Sequence, residues 1–275
     1  MTSSSQLTNS KEAANVNFKT VKYAEADGIT TITLNRPDKR NAISYELIDD
    51  LISALNQAAA ASPHIVILTG AGTAFCAGMD LDNLKQLIGR SGEQNLKDSQ
   101  TMAGLFRTLC DFPKVTIAAV NGAAIAGGTA LATLCDFTLA VPGAKFGYTE
   151  VRIGFVPGIV SSYLINNVGE KRARDLLLTG RLFDAEEAHQ MGLVNEIVAP
   201  DQLMSRAHQL AQELMEISPA SLKVTKALLS SFTKDQLDRQ LARAIQENAA
   251  IRQTADFKEG VTSFLERRKP RWTTK

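Results

Sequence analysis

In "GITTITLNRP" the apolar side chains of Ile32 and Leu34 alternate with threonines, the period of a half-buried strand, and Pro37 stops it. The period then changes. From Ser44, a residue type suited to an N-cap, "YELIDDLISALNQAAA" sets Leu47, Ile48, Leu51, Ile52 and Leu55 on one helical face. "HIVILT" is almost continuously apolar, as a strand buried on both faces must be. A polar stretch, "IGRSGEQNLKDSQ", separates it from an amphipathic helix near Met102 to Cys110. A second buried strand, "VTIAAV", leads to a helix beginning near Gly128 and a short strand, "DFTLAV". Strands and helices that alternate in this way predict an α/β domain with parallel strands and crossover helices.

After about Gly158 the strand signals fade. "VGEKRARDLLLTG", "DAEEAHQMGL" and the stretch from Asp201 to Glu266 carry helical patterns, and Pro219 directly after Ser218 suits a first helical turn. Their apolar faces must pack on the core or on another subunit. The first residues, "MTSSSQLTNSKEAANVN", have no apolar block and no arginine, and are expected to form a disordered tail rather than a targeting peptide.

Charge and cysteine use narrow the function classes. Thirty Lys and Arg against 29 Asp and Glu leave a net charge of +1, so no global basic field calls for nucleic acid. Cys76, Cys110 and Cys135 are odd in number, widely spaced and in no C-x-x-C or zinc pattern, which points to a reduced, cytoplasmic setting without metal. No apolar run approaches the ~20 residues of a membrane helix.

Two turns and one carboxylate carry the chemistry. "FCAGMDL" and "NGAAIAGG" each follow an apolar strand with small residues. An N–H in the first turn of a helix has no intrahelical partner. Two such donors converging on one carbonyl oxygen make an oxyanion hole, in which one donor is worth about 3–4 kcal/mol to a transition state. Gly127 and Gly128 suit that role; equally, they would let helix and strand pack closely. Asp80 is placed to cap a helix, and Asp136 to hold a strand. Glu150, among apolar residues in "KFGYTEVRIGFVPG", would have a raised pKa useful for moving protons near neutrality if buried; on its own, a glutamate there is as readily a surface or salt-bridged residue.

Taken together, "FCAGMDL", "NGAAIAGG" with "CDF", "FGYTEVRIGFVPG" and "LLLTGRLFDAEEAHQMGLVNEIV" resemble, in order and spacing, the crotonase family of enoyl-CoA hydratases and isomerases. The resemblance runs from about Asn17 to "FLERRKPRW". It implies an α/β spiral of ββα turns over residues 17–200, after a tail at 1–16. A helical region at 201–275 would build a homotrimer or a dimer of trimers. It implies that the backbone N–H groups of Met79 and Gly127 hold a thioester oxygen while Glu150 moves protons. Coenzyme A, part of the substrate and not a cofactor, would meet Arg36, Lys39 and Ala42, with Ala77 and Asp80 along its path. Gly128 and Tyr148 would also contact the substrate, and Phe264 and Lys269 could reach the coenzyme.

One position departs from the pattern. Family hydratases use two glutamates around a water; the second matches Glu150, but the first falls on Ala130. A methyl group moves no proton, and the hydroxyls of Thr129 and Tyr148 are poor bases. The expectation is a single-glutamate hydratase of 2-enoyl-CoA thioesters. Double-bond isomerisation from a 3-enoyl-CoA, and acyl-CoA binding without turnover, are the alternatives. His64 lies outside the motifs, and His189, inside the last of them, is read with it as a structural or surface residue.

Overall fold

The computed structural model describes residues 18–62 and 64–273, so the tail expected at 1–16 lies outside the described residues. Strands β1 (Val21–Ala26) and β2 (Ile29–Leu34) form a hairpin. Asp27 and Gly28, with φ of 51° and 77°, turn between them. Asp-Gly is the dipeptide such a tight turn favours, because both central residues need positive φ. Helix α1 (Tyr45–Ala60) follows, capped by the Ser44 hydroxyl and buried along Leu47, Ile48, Leu51 and Leu55.

Three successive passes then build two sheets. β3 (Ile65–Gly70) is followed by β4 (Ala74–Cys76), α2 (Leu81–Gln86) and α3 (Gly92–Cys110). β5 (Val115–Val120) is followed by β6 (Ala123–Ile125) and α4 (Gly127–Thr133). β7 (Phe137–Ala140) is followed by β8 (Lys145–Gly147) and α5 (Gly158–Thr179), which is broken at Gly169. The first strand of each pass joins a six-stranded sheet and the second a four-stranded one. The larger sheet runs β1-β2-β3-β5-β7 and ends on the strand Glu196–Ile197, parallel except for the hairpin. This is the expected spiral. β9 (Leu182–Asp184), α6 (Ala185–Gln190) and β10 (Glu196–Ile197) close the two sheets.

The chain ends in α7 (Leu203–Met215), the 32-residue α8 (Pro219–Ala250) and α9 (Ala255–Leu265). α8 lies on α3 and α5, while α9 packs on a 3-10 turn at Glu150–Ile153. Contact there is backbone to backbone. A Cβ on Gly260 of α9 would fall 2.3 Å from the Ile153 carbonyl.

Two expectations change. The polar stretch before Met102 is not a separator: α3 begins at Gly92, with Ser91 and Gln94 forming a reciprocal capping box. Its polar residues Asn95, Asp98 and Ser99 are buried against other polar groups, which disguised them as a surface loop. The patterning reads only four strands, β2, β3, β5 and β7, and leaves out β1, β4, β6, β8, β9 and β10; α4 begins at Gly127, where a helix near Gly128 is expected. Among the described residues no helix is long and apolar enough to cross a membrane.

Candidate active site

A cleft of about 540 Å³ opens beside the ends of β4 and β6, walled by Ile43, Met102, Phe106, Ile125 and Phe155. Its wall is mostly apolar, as small-molecule sites generally are. Met79, Gly127 and Glu150 all line it, so the structure brings these three expected residues together from three separate passes of the spiral.

The two turns expose backbone donors by different means. Beside the first, the Ile43 N–H donates to the Gly78 carbonyl at 2.7 Å and the Asp80 N–H to the Ile43 carbonyl at 2.9 Å. That short bridge uses the neighbours of Met79 on both sides and leaves its own N–H with no acceptor among the described residues. At the second turn, Ala126 has φ 51° and ψ −119°. A residue with a Cβ is strained there by roughly 1–3 kcal/mol. The Ala126 N–H is tied down by the Gly147 carbonyl at 2.6 Å, and the peptide that follows presents Gly127 as the first residue of α4. Its N–H likewise has no acceptor among the described residues. Gly128 packs the turns together, since a Cβ on it would sit 2.1 Å from the Cys76 carbonyl oxygen.

Glu150 opens the 3-10 turn that follows β8, and its carbonyl accepts from the Phe155 N–H at 3.1 Å. The residue as a whole is half-buried, but Oε2 is shut off from solvent with no hydrogen-bond partner. Burial pushes the carboxyl up to about 7, opposed only by a hydrogen bond from its own backbone. Among the described residues lining the cleft, Glu150 is the one carboxylate. Ala130 lies within α4, 2% exposed and off the lining.

Of the remaining expected residues, Ala77 and Phe264 line the cleft. Arg36, Ala42 and Asp80 cluster beside it: Arg36 pairs with Asp80 at 2.7 Å and donates to the Ala42 carbonyl. Asp80 also caps α2, accepting from the Asp82 N–H at 2.9 Å. Burial pushes the Asp80 carboxyl up, but the bonds from Arg36 and Asp82 outweigh it and hold it below the usual range. Lys39 is exposed and pairs with Asp82, and Lys269 is exposed. Gly128 and Tyr148 are buried off the lining, the Tyr148 hydroxyl 3.4 Å from that of Thr133. Thr129 spends its hydroxyl on the Ala124 and Gly147 backbone. Asp136 holds the Thr116 N–H at the edge of β5.

Sequence reasoning missed Asn41 and three arginines. Asn41, fully buried, donates to the Ala71 and Ala74 carbonyls and accepts from the Arg36 N–H, knitting the Arg36 loop to β4. Arg152, Arg252 and Arg268 all reach the cleft. Arg152 sits two residues after Glu150 in the same 3-10 turn, inside one of the motifs, and was passed over. No local pattern marks Arg252 and Arg268, because their positions depend on how α8 and α9 return to the core.

The family model described as Enoyl-CoA hydratase/isomerase matches residues 24–275. A Thermus thermophilus protein carrying a provisional enoyl-CoA hydratase name is 43% identical over 250 residues, spanning 90% of this chain and 98% of its own. The 1,2-epoxyphenylacetyl-CoA isomerase of Escherichia coli is 34% identical over 251 residues, spanning 90% of this chain and 96% of its own. The crystal structure of an enoyl-CoA hydratase/isomerase from Xanthobacter autotrophicus superposes with a TM-score of 0.85 at 30% identity, over 91% of this chain and 94% of that one.

Proposed function

Because the chain belongs to the enoyl-CoA hydratase/isomerase family, we propose that it hydrates a 2-enoyl-CoA thioester with Glu150 as its single acid–base group. The observation that carries this reading is the buried, unpartnered Oε2 of Glu150 in the same cleft as two acceptor-free backbone N–H groups. The N–H groups of Met79 and Gly127 hold the thioester oxygen, and bind it most tightly when it becomes an enolate. Ionised Glu150 takes one proton from a water as its oxygen bonds to C3. The electron pair of the double bond moves onto the thioester as the enolate. Glu150, now neutral, returns the proton to C2, and no further acid is needed.

The lone carboxylate also supports a second reading. Moving a proton from C2 to C4 of a 3-enoyl-CoA needs one base, and one similar protein is named an isomerase. Purified protein offered crotonyl-CoA and 3-hexenoyl-CoA separates the two. Loss of conjugated-enoyl absorbance with the first substrate marks hydration, and a gain with the second marks isomerisation. No change with either, or with branched 2-enoyl thioesters, overturns both.

The coenzyme A part of the substrate is assigned to Arg36, Lys39, Ala42, Ala77 and Asp80 on one side and to Phe264 and Lys269 on the other. Gly128 and Tyr148 shape the site from behind rather than touch substrate. Assembly as a homotrimer or a dimer of trimers finds support in α8, where Val224, Leu228 and Phe232, spaced four apart, are 66%, 52% and 72% exposed.

A further inference from the structure

The inner end of the cleft carries an unused buried donor. Arg252 lines the cleft, yet its side chain is 1% exposed, and its guanidinium lies 5.1 Å above the Phe155 ring. Nη1 donates to Asp98 and Nη2 to Asn248 at 2.7 Å. The Nε–H has no acceptor among the described residues, although it is shut off from water. A buried donor left unmade is costly, so an acceptor that reached it would be bound strongly.

The surrounding cluster is short of negative charge. Asp98, itself 3% exposed in its side chain, faces two guanidiniums, Arg252 and Arg90, the latter at 3.2 Å. Its other partner is the neutral hydroxyl of Tyr45, which also accepts from Arg90 at 2.7 Å. Asn248 is held by the Ser99 hydroxyl at 2.8 Å and reaches the Val156 carbonyl in the segment behind Glu150. Two cations against one anion leave this cluster with a surplus positive charge beside an otherwise apolar wall.

Its place along the cleft follows from α3. Asp98, Met102 and Phe106 succeed one another at four-residue intervals on that helix, and the last two line the cleft. Phe106 lies against the oxyanion turn, since a Cβ on Gly127 would meet its ring at 3.4 Å. Asp98 and its partner Arg252 are therefore about two turns, or about 12 Å, further along the helix. Arg152 and Arg268 are exposed and suit the coenzyme, whereas the Arg252 side chain is enclosed.

We propose that the preferred substrate is an acyl-CoA whose chain ends in a carboxylate, received by Arg252 at the inner end of the cleft. This rests on the acyl-CoA reading given above. The carboxylate accepts from Nε–H and balances the surplus charge of the Arg90–Asp98–Arg252 cluster. The chain between must run several carbons past C3.

Saturated thioesters test this without turnover. Calorimetry would compare the CoA thioesters of a straight eight-carbon dicarboxylic acid, acylated at one end, and of octanoic acid. The carboxylate-ended ligand should bind at least tenfold tighter. An apolar pocket with no partner would give the reverse, because a carboxylate resists leaving water. Equal or tighter binding of the methyl-ended ligand overturns the inference and leaves the acyl-CoA reading standing; binding of neither overturns both. Removing Arg252 alone would strand Asp98, so the double substitution Arg252→Gln with Asp98→Asn is the informative variant. Its ratio of the two dissociation constants should reverse in favour of the methyl-ended ligand, and a preference that survived would refute the role of Arg252. If that variant does not fold, Arg252→Lys, which keeps the charge but has no Nε fork, should bring the ratio towards one.

Discussion

Replacing Glu150 by Gln should make the protein more stable and nearly inactive, and the stability gain should depend on pH. In the folded chain burial raises the carboxyl from 4.5 to about 7. Between those values the folded state holds a proton that the unfolded chain has released. The Glu150 contribution to stability is therefore greatest below pH 4.5 and declines as pH rises through the window to 7. The shift corresponds to about 3 kcal/mol at 1.36 kcal/mol per unit. Water entering the cleft solvates the carboxylate and trims this, so about 1–3 kcal/mol is expected. Gln cannot ionise and escapes the loss. Urea unfolding of both proteins at pH 4.5 and 8.5 reads the effect as the change in their stability difference, with m unchanged. The Gln variant should gain about 1–3 kcal/mol on the wild type across that interval, while turnover falls by about two to four orders of magnitude. Parallel pH dependence in the two proteins would refute the claim that Glu150 is buried at a cost.

As a base, Glu150 acts ionised, so kcat/KM should climb with pH and level off above an inflection near 7; a profile flat from pH 5 to 9 would remove Glu150 from the chemistry. Met79→Ala should be mild, but Met79→Pro deletes the N–H while sparing the Gly78 and Asp80 bonds to Ile43. If circular dichroism shows the proline variant folded, its activity should drop by about two orders of magnitude or more. Gly128→Ala drives a Cβ to 2.1 Å from the Cys76 carbonyl. It should cost about 2 kcal/mol or more in thermal unfolding and lower kcat by separating the two donor turns.

The strands that lie inside both layers were legible because burial on two faces leaves a continuous apolar run. "VTIAAV" coincides with β5, and "HIVILT" with β3 to within one residue. The three residues at the centre of the site, Met79, Gly127 and Glu150, were reachable through motif order and share one cleft. What hydrophobic patterning hides is a polar surface that packs against other polar groups. The first turns of α3 look like a loop because Asp98 and Ser99 face Arg252 and Asn248, 154 and 149 residues further on. Edge strand β1 is mostly exposed, with weak alternation, yet Asp27-Gly28 was a hairpin signal in plain view. Arg252 had no local signature at all. Its meaning comes from the partner it meets across the fold.

The clasp of α9 on the Glu150 turn bears on synthesis as well as on stability. Gly260 touches Ile153 backbone to backbone, and the cleft is closed by residues as late as Phe264, Arg268 and Pro270. The sheets and their donor turns can assemble once α7, which packs on β3, β5 and β7, has left the ribosome. The wall beside the carboxylate cannot, because its last pieces come later in the chain. A nascent chain should thus acquire its fold before its chemistry, and remain silent towards thioesters until α9 and the residues up to Pro270 have emerged.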